Sequence, residues 1–213
     1  MTSICLSIYG RVVLLAMSLS PTKHKVPYGL YLGKCILNDI LKKNLKIVFV
    51  GSAASDISAS QGYYYANPRN SFWKLLYEAG LTDRQLLPKE DSLVLNYDCG
   101  LTDVVKSEHG TDIRLRKESL AEDRSNLEAK IKEFHPLVVC FTSKNAYRLF
   151  FGHSARSFGL QKPEGELPSE VFIVPSPSPQ VMPDKRFNGK SRLEWYKELS
   201  EFAKKKKDVR NKK

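Results

Sequence analysis

KIVFVGSAASDISASQGYYYANPRNSFWKLL, Lys46 to Leu76, decides how the chain is read. Lys46 to Gly51 is an apolar, β-branched run closed by glycine, the pattern of a strand buried on both faces. Ser52 to Gly62 is built from small and polar residues with little to pack. A buried strand that opens into such residues lets backbone N–H groups come close to a ligand. Tyr63, Tyr64 and Tyr65 follow, then turn chemistry through Asn70. The spacing of Phe72, Leu75, Leu76 and Ala79 predicts a helix, capped by Asn70 or Ser71 and stopped by Gly80. In an open α/β sheet, ligands sit beyond the carboxyl ends of the strands, which is where Ser52 to Gly62 falls.

Working outward, residues 29–43 carry apolar side chains at Leu30, Cys35, Ile36, Ile40 and Leu41, the pattern of an amphipathic helix feeding the first strand. After the central helix, residues 81–105 read as loop and short turns, with Gly100 to Val105 a short strand carrying Asp103. Residues 107–119 are polar and read as exposed. Leu120 to Phe134 predicts a helix with Leu127, Ile131 and Phe134 on one face. Pro136 to Ser143 is a second buried strand. Lys144 to Phe151 is a short helix ended by Gly152. Val171 to Pro179 is a third buried strand running into a proline-stiffened loop. The closing helix, 191–205, turns Leu193, Tyr196, Leu199 and Phe202 inward. Strands alternating with helices predict an α/β fold, a three-layer sandwich with a mostly parallel central sheet flanked by helices.

The 213 residues suit one domain with a sizeable core. The boundaries expected are a flexible N-terminal extension over 1–28, a globular domain over 29–203 and a basic tail over 204–213. The apolar stretch from Ile4 to Ser20 lacks a basic start, is interrupted by Arg11, and is shorter than a membrane span. A net charge of +11 points to a polyanionic partner, nucleic acid ahead of a membrane surface. Part of that excess lies in the run Lys204 to Lys207, a solvated tail by default and a phosphate grip or nuclear-import patch as the second reading. Cys5, Cys35, Cys99 and Cys140 form no C-x-x-C pair and read as reduced thiols of an intracellular protein, with no metal site. His24, His109, His135 and His153 read as surface or loop histidines.

Several stretches together resemble the mismatch-specific uracil/thymine DNA glycosylases of the uracil-DNA glycosylase superfamily: KIVFVG, GYYYANPRNSFWKLLYEAGLTDRQLLPKE, NYDCGLTDVV and VPSPSP. The resemblance covers Leu37 to Phe202. It implies a monofunctional enzyme of base excision repair that hydrolyses the N-glycosidic bond of a flipped-out deaminated or mismatched base. Uracil is expected first, with hypoxanthine, or thymine opposite guanine, behind it. Such chemistry takes the base out of the stack, holds it on an aromatic face, supplies a water near the sugar C1′ and stabilises the departing anion. It needs no cofactor and no metal. The expected partner is double-stranded DNA containing damaged or mismatched bases, bound by a monomer without membrane contact, in the nucleus if eukaryotic and otherwise in the cytoplasm.

The resemblance places Tyr65 at the base-stacking position, with Gly51, Ser52, Ala53 and Ser176 around the base. It places Pro177, Ser178, Pro179 and Gln180 against DNA, with Gln180 where relatives carry an apolar wedge. Asn67, Arg69 and Asn70 are candidate phosphate contacts and also ordinary turn residues. The water-activating Asn of the family's G-I-N-P-G loop is replaced: Gly51-Ser52-Ala53-Ala54-Ser55 puts Ala53 there. Ser176 stands where relatives have Asn or His. Asp56 and Asp103 are therefore the candidate catalytic carboxylates. Asp56 is equally readable as a cap or turn residue, and the tyrosines as packing anchors. The alternative function is a catalytically weak or inactive DNA-lesion binding module.

Overall fold

Short apolar runs alternate their side chains between two cores, and that alternation creates the layers. The computed structural model describes residues 36–110, 117–162, 167–181 and 186–211. In chain order these form β1 (Ile47–Ala54), α1 (Asp56–Gln61), α2 (Phe72–Glu78), a 3-10 helix (Pro88–Tyr97), β2 (Cys99–His109), α3 (Lys117–Phe134), β3 (Val138–Phe141), α4 (Lys144–Phe151), β4 (Gly159–Leu160), β5 (Glu170–Ile173) and α5 (Arg192–Asn211). The sheet order is β2-β1-β3-β5-β4, parallel throughout except for the two-residue β4.

Ile47, Phe49, Val138, Cys140 and Phe172 face one core, closed by Phe72, Trp73 and Leu76 of α2 and by Trp195, Tyr196 and Leu199 of α5. Val48, Val50, Val139, Phe141, Val171 and Ile173 face the other, closed by Leu127, Ile131 and Phe134 of α3 and by Ala146, Tyr147 and Leu149 of α4. β3, the apolar part of β5 and the first half of β1 are covered on both faces, so their sequences read as continuous apolar runs. The α/β sandwich expected from the sequence is the fold observed.

Local expectations fare less evenly. Residues 36–43 are not helical. Ile40 bridges Leu101 in antiparallel fashion, and Ile36 N–H bonds the carbonyl of Lys106, so this segment lies along the outer edge of β2. Leu37 enters one core and Leu41 the other, a straddling that a helix on one face cannot achieve. The remainder of the predicted 29–43 helix, and the extension over 1–28, lie outside the described residues. The small-residue stretch is not all loop: β1 continues through Ser52 and Ala53 to Ala54, and Asp56–Gln61 forms α1 with Ser55 as its N-cap. The strand carrying Asp103 has 11 residues and takes in Ser107 to His109, expected to be exposed and irregular.

The basic tail expected over 204–213 is a continuation of α5 as far as Asn211. Ala203 is fully buried, Lys206 pairs with Glu170, and Lys207 bonds Asp98 at 2.7 Å. Cys99 and Cys140 are free and buried, and Cys5 and Cys35 fall outside the described residues. Burial pushes the Cys99 thiol up to about 12. Among the described residues no helix is long and apolar enough to cross a membrane.

Phe141 is fully buried and meets the rings of Tyr147, Phe150 and Phe151. Phe141→Ala is expected to destabilise the protein by about 3–5 kcal/mol in urea denaturation.

Candidate functional site

β1 outlasts one of its neighbours. β3 ends at Phe141, opposite Val50, while β1 runs on to Ala54 against β2. Beyond Val50, the edge of β1 that faces β3 has no strand beside it among the described residues. The chain leaves β1 towards β2 on one side, and β3 lies on the other, so this gap is the switch point of the sheet, the usual place for a ligand. A cavity of about 820 Å³ opens there.

Tyr65 forms one wall of the cavity. Phe72 stacks on its ring at 3.7 Å and 16° and does not itself line the cavity, so the backing face is filled. The Tyr65 hydroxyl bonds Thr142 Oγ1 at 3.4 Å. Its φ is +51°, a costly conformation for a bulky side chain, and it persists only where neighbours over-determine it. They do: Tyr64 N–H donates to Asp91 Oδ2 at 3.1 Å, and Ala66 N–H donates to Ser58 Oγ at 3.2 Å. Burial, helped by the charge of Asp103, holds the Tyr65 phenol far above its ordinary range, so the ring stays neutral.

The tyrosine-bearing loop and the proline-stiffened loop are joined by hydrogen bonds. Ser71 N–H and Oγ–H both donate to the Pro177 carbonyl, at 3.0 and 3.1 Å. Arg192, nearly buried at the start of α5, donates to Ser71 Oγ at 2.8 Å and to the Val181 carbonyl at 3.1 Å. One guanidinium thus holds the tyrosine loop and the proline loop together.

Asp103 is 5% exposed and lines the cavity from β2. A Cβ built on Gly51, its partner in the β1–β2 register, would meet Asp103 Oδ1 at 2.1 Å. Glycine is therefore needed at 51 to admit the carboxylate. Burial pushes the Asp103 carboxyl up to about 6; Lys106 pulls it down and Asp39 pushes it further up. A carboxylate so placed is mostly ionised at neutral pH yet basic enough to accept a proton.

Of the candidate site residues, Gly51, Ser52, Ala53, Tyr65, Asn70, Asp103, Ser176, Pro177, Ser178 and Gln180 line the cavity. Asp56, Asn67, Arg69 and Pro179 do not. Asp56 stands apart from the cavity: its side chain is 77% exposed, and its Oδ1 bonds His109 Nδ1 at 2.8 Å. His109 is accordingly not a histidine without a partner. Asn67 Oδ1 accepts the Arg69 N–H at 2.9 Å, an Asx turn on the surface. Asn70 Oδ1 accepts the Phe72 N–H at 2.9 Å and so starts α2. Ser176 and Ser178 accept the N–H groups of Ser178 and Gln180, which stiffens the proline loop.

The sequence reading missed the wall built by Thr142, Ser143, Asn145 and Arg148. Asn145 Nδ2 donates to Ser52 Oγ at 3.1 Å, and Arg148 Nη2 donates to Asn145 Oδ1 at 2.8 Å. The carboxyl end of the strand at Pro136 to Ser143 was the available signal, since the rule that marks Ser52 marks Thr142 equally. Among the described residues no group of three His, Cys, Asp or Glu side chains is arranged to hold a metal.

The chain is thus an α/β protein with a cavity at the switch point of a parallel sheet, walled by a strained aromatic residue, a buried carboxylate and a close-approach glycine. Residues 39–200 match the family described as the Uracil DNA glycosylase superfamily, and the chain belongs to it. Membership supports a DNA glycosylase function in base excision repair, with DNA as partner. The chain is also similar to the solution NMR structure of a protein provisionally described as a uracil DNA glycosylase from Methanosarcina acetivorans. The two share 22% identity over 77% of this chain and 96% of that one, with a TM-score of 0.45.

The raised Asp103 carboxyl has a stability consequence of definite sign. The folded state binds this proton more tightly than the unfolded chain does, so wild-type stability falls as pH rises from about 4 through about 6. Asp103→Asn removes that loss. The variant is expected to be more stable than wild type by up to about 3 kcal/mol at pH 7.5, with the advantage gone at pH 4. Thermal melts at the two pH values check this.

Proposed function

We propose that the chain is a monofunctional DNA glycosylase that removes uracil, and after it hypoxanthine or thymine opposite guanine, from duplex DNA. The observation that carries this reading is the buried Asp103 carboxylate seated on Gly51 beside the ring of Tyr65. The extruded base stacks on Tyr65, whose other face Phe72 already supports. Stacking on a ring held in place freezes little further motion. Asp103 accepts a proton from a water as its oxygen bonds to the sugar C1′. The C1′–N bond breaks and its electron pair leaves with the base. The carboxylate also offsets the positive charge that builds on the sugar.

Ala53 carries no group able to orient water, and Asp103 across the β1–β2 pair supplies one from the neighbouring strand. The unpaired edge of β1 after Val50 and the side chains of Ser52 and Asn145 are positioned for the edge of the base and its departing charge. No lysine lines the cavity among the described residues, which favours attack by water over a Schiff base with the enzyme. Gln180, exposed at the cavity mouth, enters the gap left in the duplex, with Pro177, Ser178 and Pro179 behind it. Asn67, Arg69 and Arg148 take phosphates nearby.

Duplex oligonucleotides bearing uracil, hypoxanthine or thymine opposite each base, treated with alkali after incubation, test the reading. Abasic sites are expected for uracil above the others. Under single turnover Asp103→Asn is expected to slow cleavage by about 100-fold or more, and Asp56→Asn by less than about twofold. The competing reading, a lesion-binding module, rests on Ala53 and Ser176 standing where relatives carry catalytic polar side chains. It is favoured instead if the duplexes are bound without any abasic site.

A further inference from the structure

Behind Asp103 lies a second set of charged groups that neither stacking nor water attack uses. Asp39, from the segment along the edge of β2, has a side chain only 3% exposed. Its Oδ1 meets Lys106 Nζ at 2.9 Å, and its Oδ2 meets Lys130 Nζ of α3 at 2.5 Å. Thr102 Oγ1 donates to it at 2.6 Å. Lys106 is itself 4% exposed and also donates to the Tyr64 hydroxyl at 2.8 Å. Thr102, Asp103 and Lys106 all belong to β2. Val104 and Val105 both pack in the α3/α4 core, and this break in alternation brings Lys106 round to the side of Tyr64.

A buried lysine–carboxylate pair is poor evidence of stabilisation, because desolvating both charges offsets most of their attraction, and apolar residues of similar size serve as well. Thr102, bonded to Asp39, and Lys106 lie on either side of Asp103 along β2, and Tyr64, bonded by Lys106, lines the same cavity as Asp103, which gives the pair another use. We propose that the Asp39–Lys106 pair is a positioning device for Asp103: Lys106 keeps Asp103 ready to accept a proton, and Asp39 moderates the charge that Lys106 presents.

The charges act in opposite directions. Lys106 favours the ionised form of Asp103, and Asp39 disfavours it. Asp39 itself is fixed as an anion, since Lys106, Lys130 and the hydrogen bonds from Lys130 and Thr102 outweigh its burial. Of the other groups around Asp103, Gly51 is uncharged and Tyr65 stays neutral. Arg148 stands on α4 across the cavity, exposed and bonded to Asn145. The Asp56–His109 pair lies outside the lining. Two further carboxylates are buried nearby, Asp91 accepting the Tyr64 N–H and Asp123 accepting the Ser107 hydroxyl, but Lys106 and Asp39 are the charges that act on Asp103.

This inference rests on the glycosylase reading for its purpose but is tested without activity. The carboxyl carbon of Asp103 is followed by 13C NMR across pH 4 to 9 in the intact protein, with its resonance assigned by loss in Asp103→Asn. Lys106→Met is expected to raise the Asp103 midpoint by about one pH unit or more, and Asp39→Asn to lower it by a similar amount. Lys106→Arg, which keeps the charge, is expected to hold it near wild type. Opposite movements separate charge control from structural damage, which has no reason to produce them. If Lys106→Met does not fold, Asp39→Asn decides alone, because it keeps the side-chain shape. A midpoint unchanged by Asp39→Asn, or moved the same way by both variants, overturns the proposal. Absence of abasic sites with the opposite shifts intact would fault the enzyme reading and leave the pair's role in place.

Discussion

Asp103 holds its carboxylate in the space that a side chain on Gly51 would fill, so a larger residue at 51 would displace it. That close approach depends on the parallel pairing of β1 with β2, which sets Gly51 directly across from Asp103. It depends also on β1 running past the end of β3, which opens the cavity onto the pair. A carboxylate buried in this way is destabilising when ionised, and folded proteins retain such groups mainly where chemistry uses them. The strained φ of Tyr65, which lines the same cavity, is a second local cost at this site.

Much of the surrounding structure is explained by the need to keep these groups still. Phe72 is at once the cap of the Tyr65 ring and a core residue of α2, meeting Phe49 of β1 edge to face at 5.3 Å. Ser58 and Asp91 pin the backbone on either side of Tyr65. Arg192 reaches from α5 to both loops, and burial lowers its affinity for its own proton without neutralising it. The loops therefore approach the ligand as parts of the packed body rather than as free segments, which limits the ordering cost of binding.

The layers were legible in the sequence because strands covered on both faces leave unbroken apolar runs, as in Val138–Phe141 and in Val171 to Ile173. The edge segment at 36–43 was misread because apolar residues feeding two cores from a sheet edge mimic one face of a helix. Of the C-terminal lysines, Lys204 and Lys205 are exposed, while Lys206 and Lys207 find acidic partners in Glu170 and Asp98 that composition does not reveal. At the site, Tyr65, Gly51 and the proline loop could be found from spacing and resemblance. Choosing between Asp56 and Asp103 could not, since it turns on burial: one is a solvent-facing partner of His109, the other a buried group on the cavity wall. The Asp39–Lys106 pair was equally hidden, being a contact across 67 positions of sequence that no local pattern announces.

The account is tested most directly by a crystal structure of Asp103→Asn bound to a duplex carrying one uracil opposite guanine. The expected result is the uracil turned out of the helix onto the ring of Tyr65, with its C1′ facing Asn at position 103 across one water and Gln180 in the vacated space. A uracil still stacked in the duplex, or DNA seated on a face other than the one joining the tyrosine and proline loops, would contradict it.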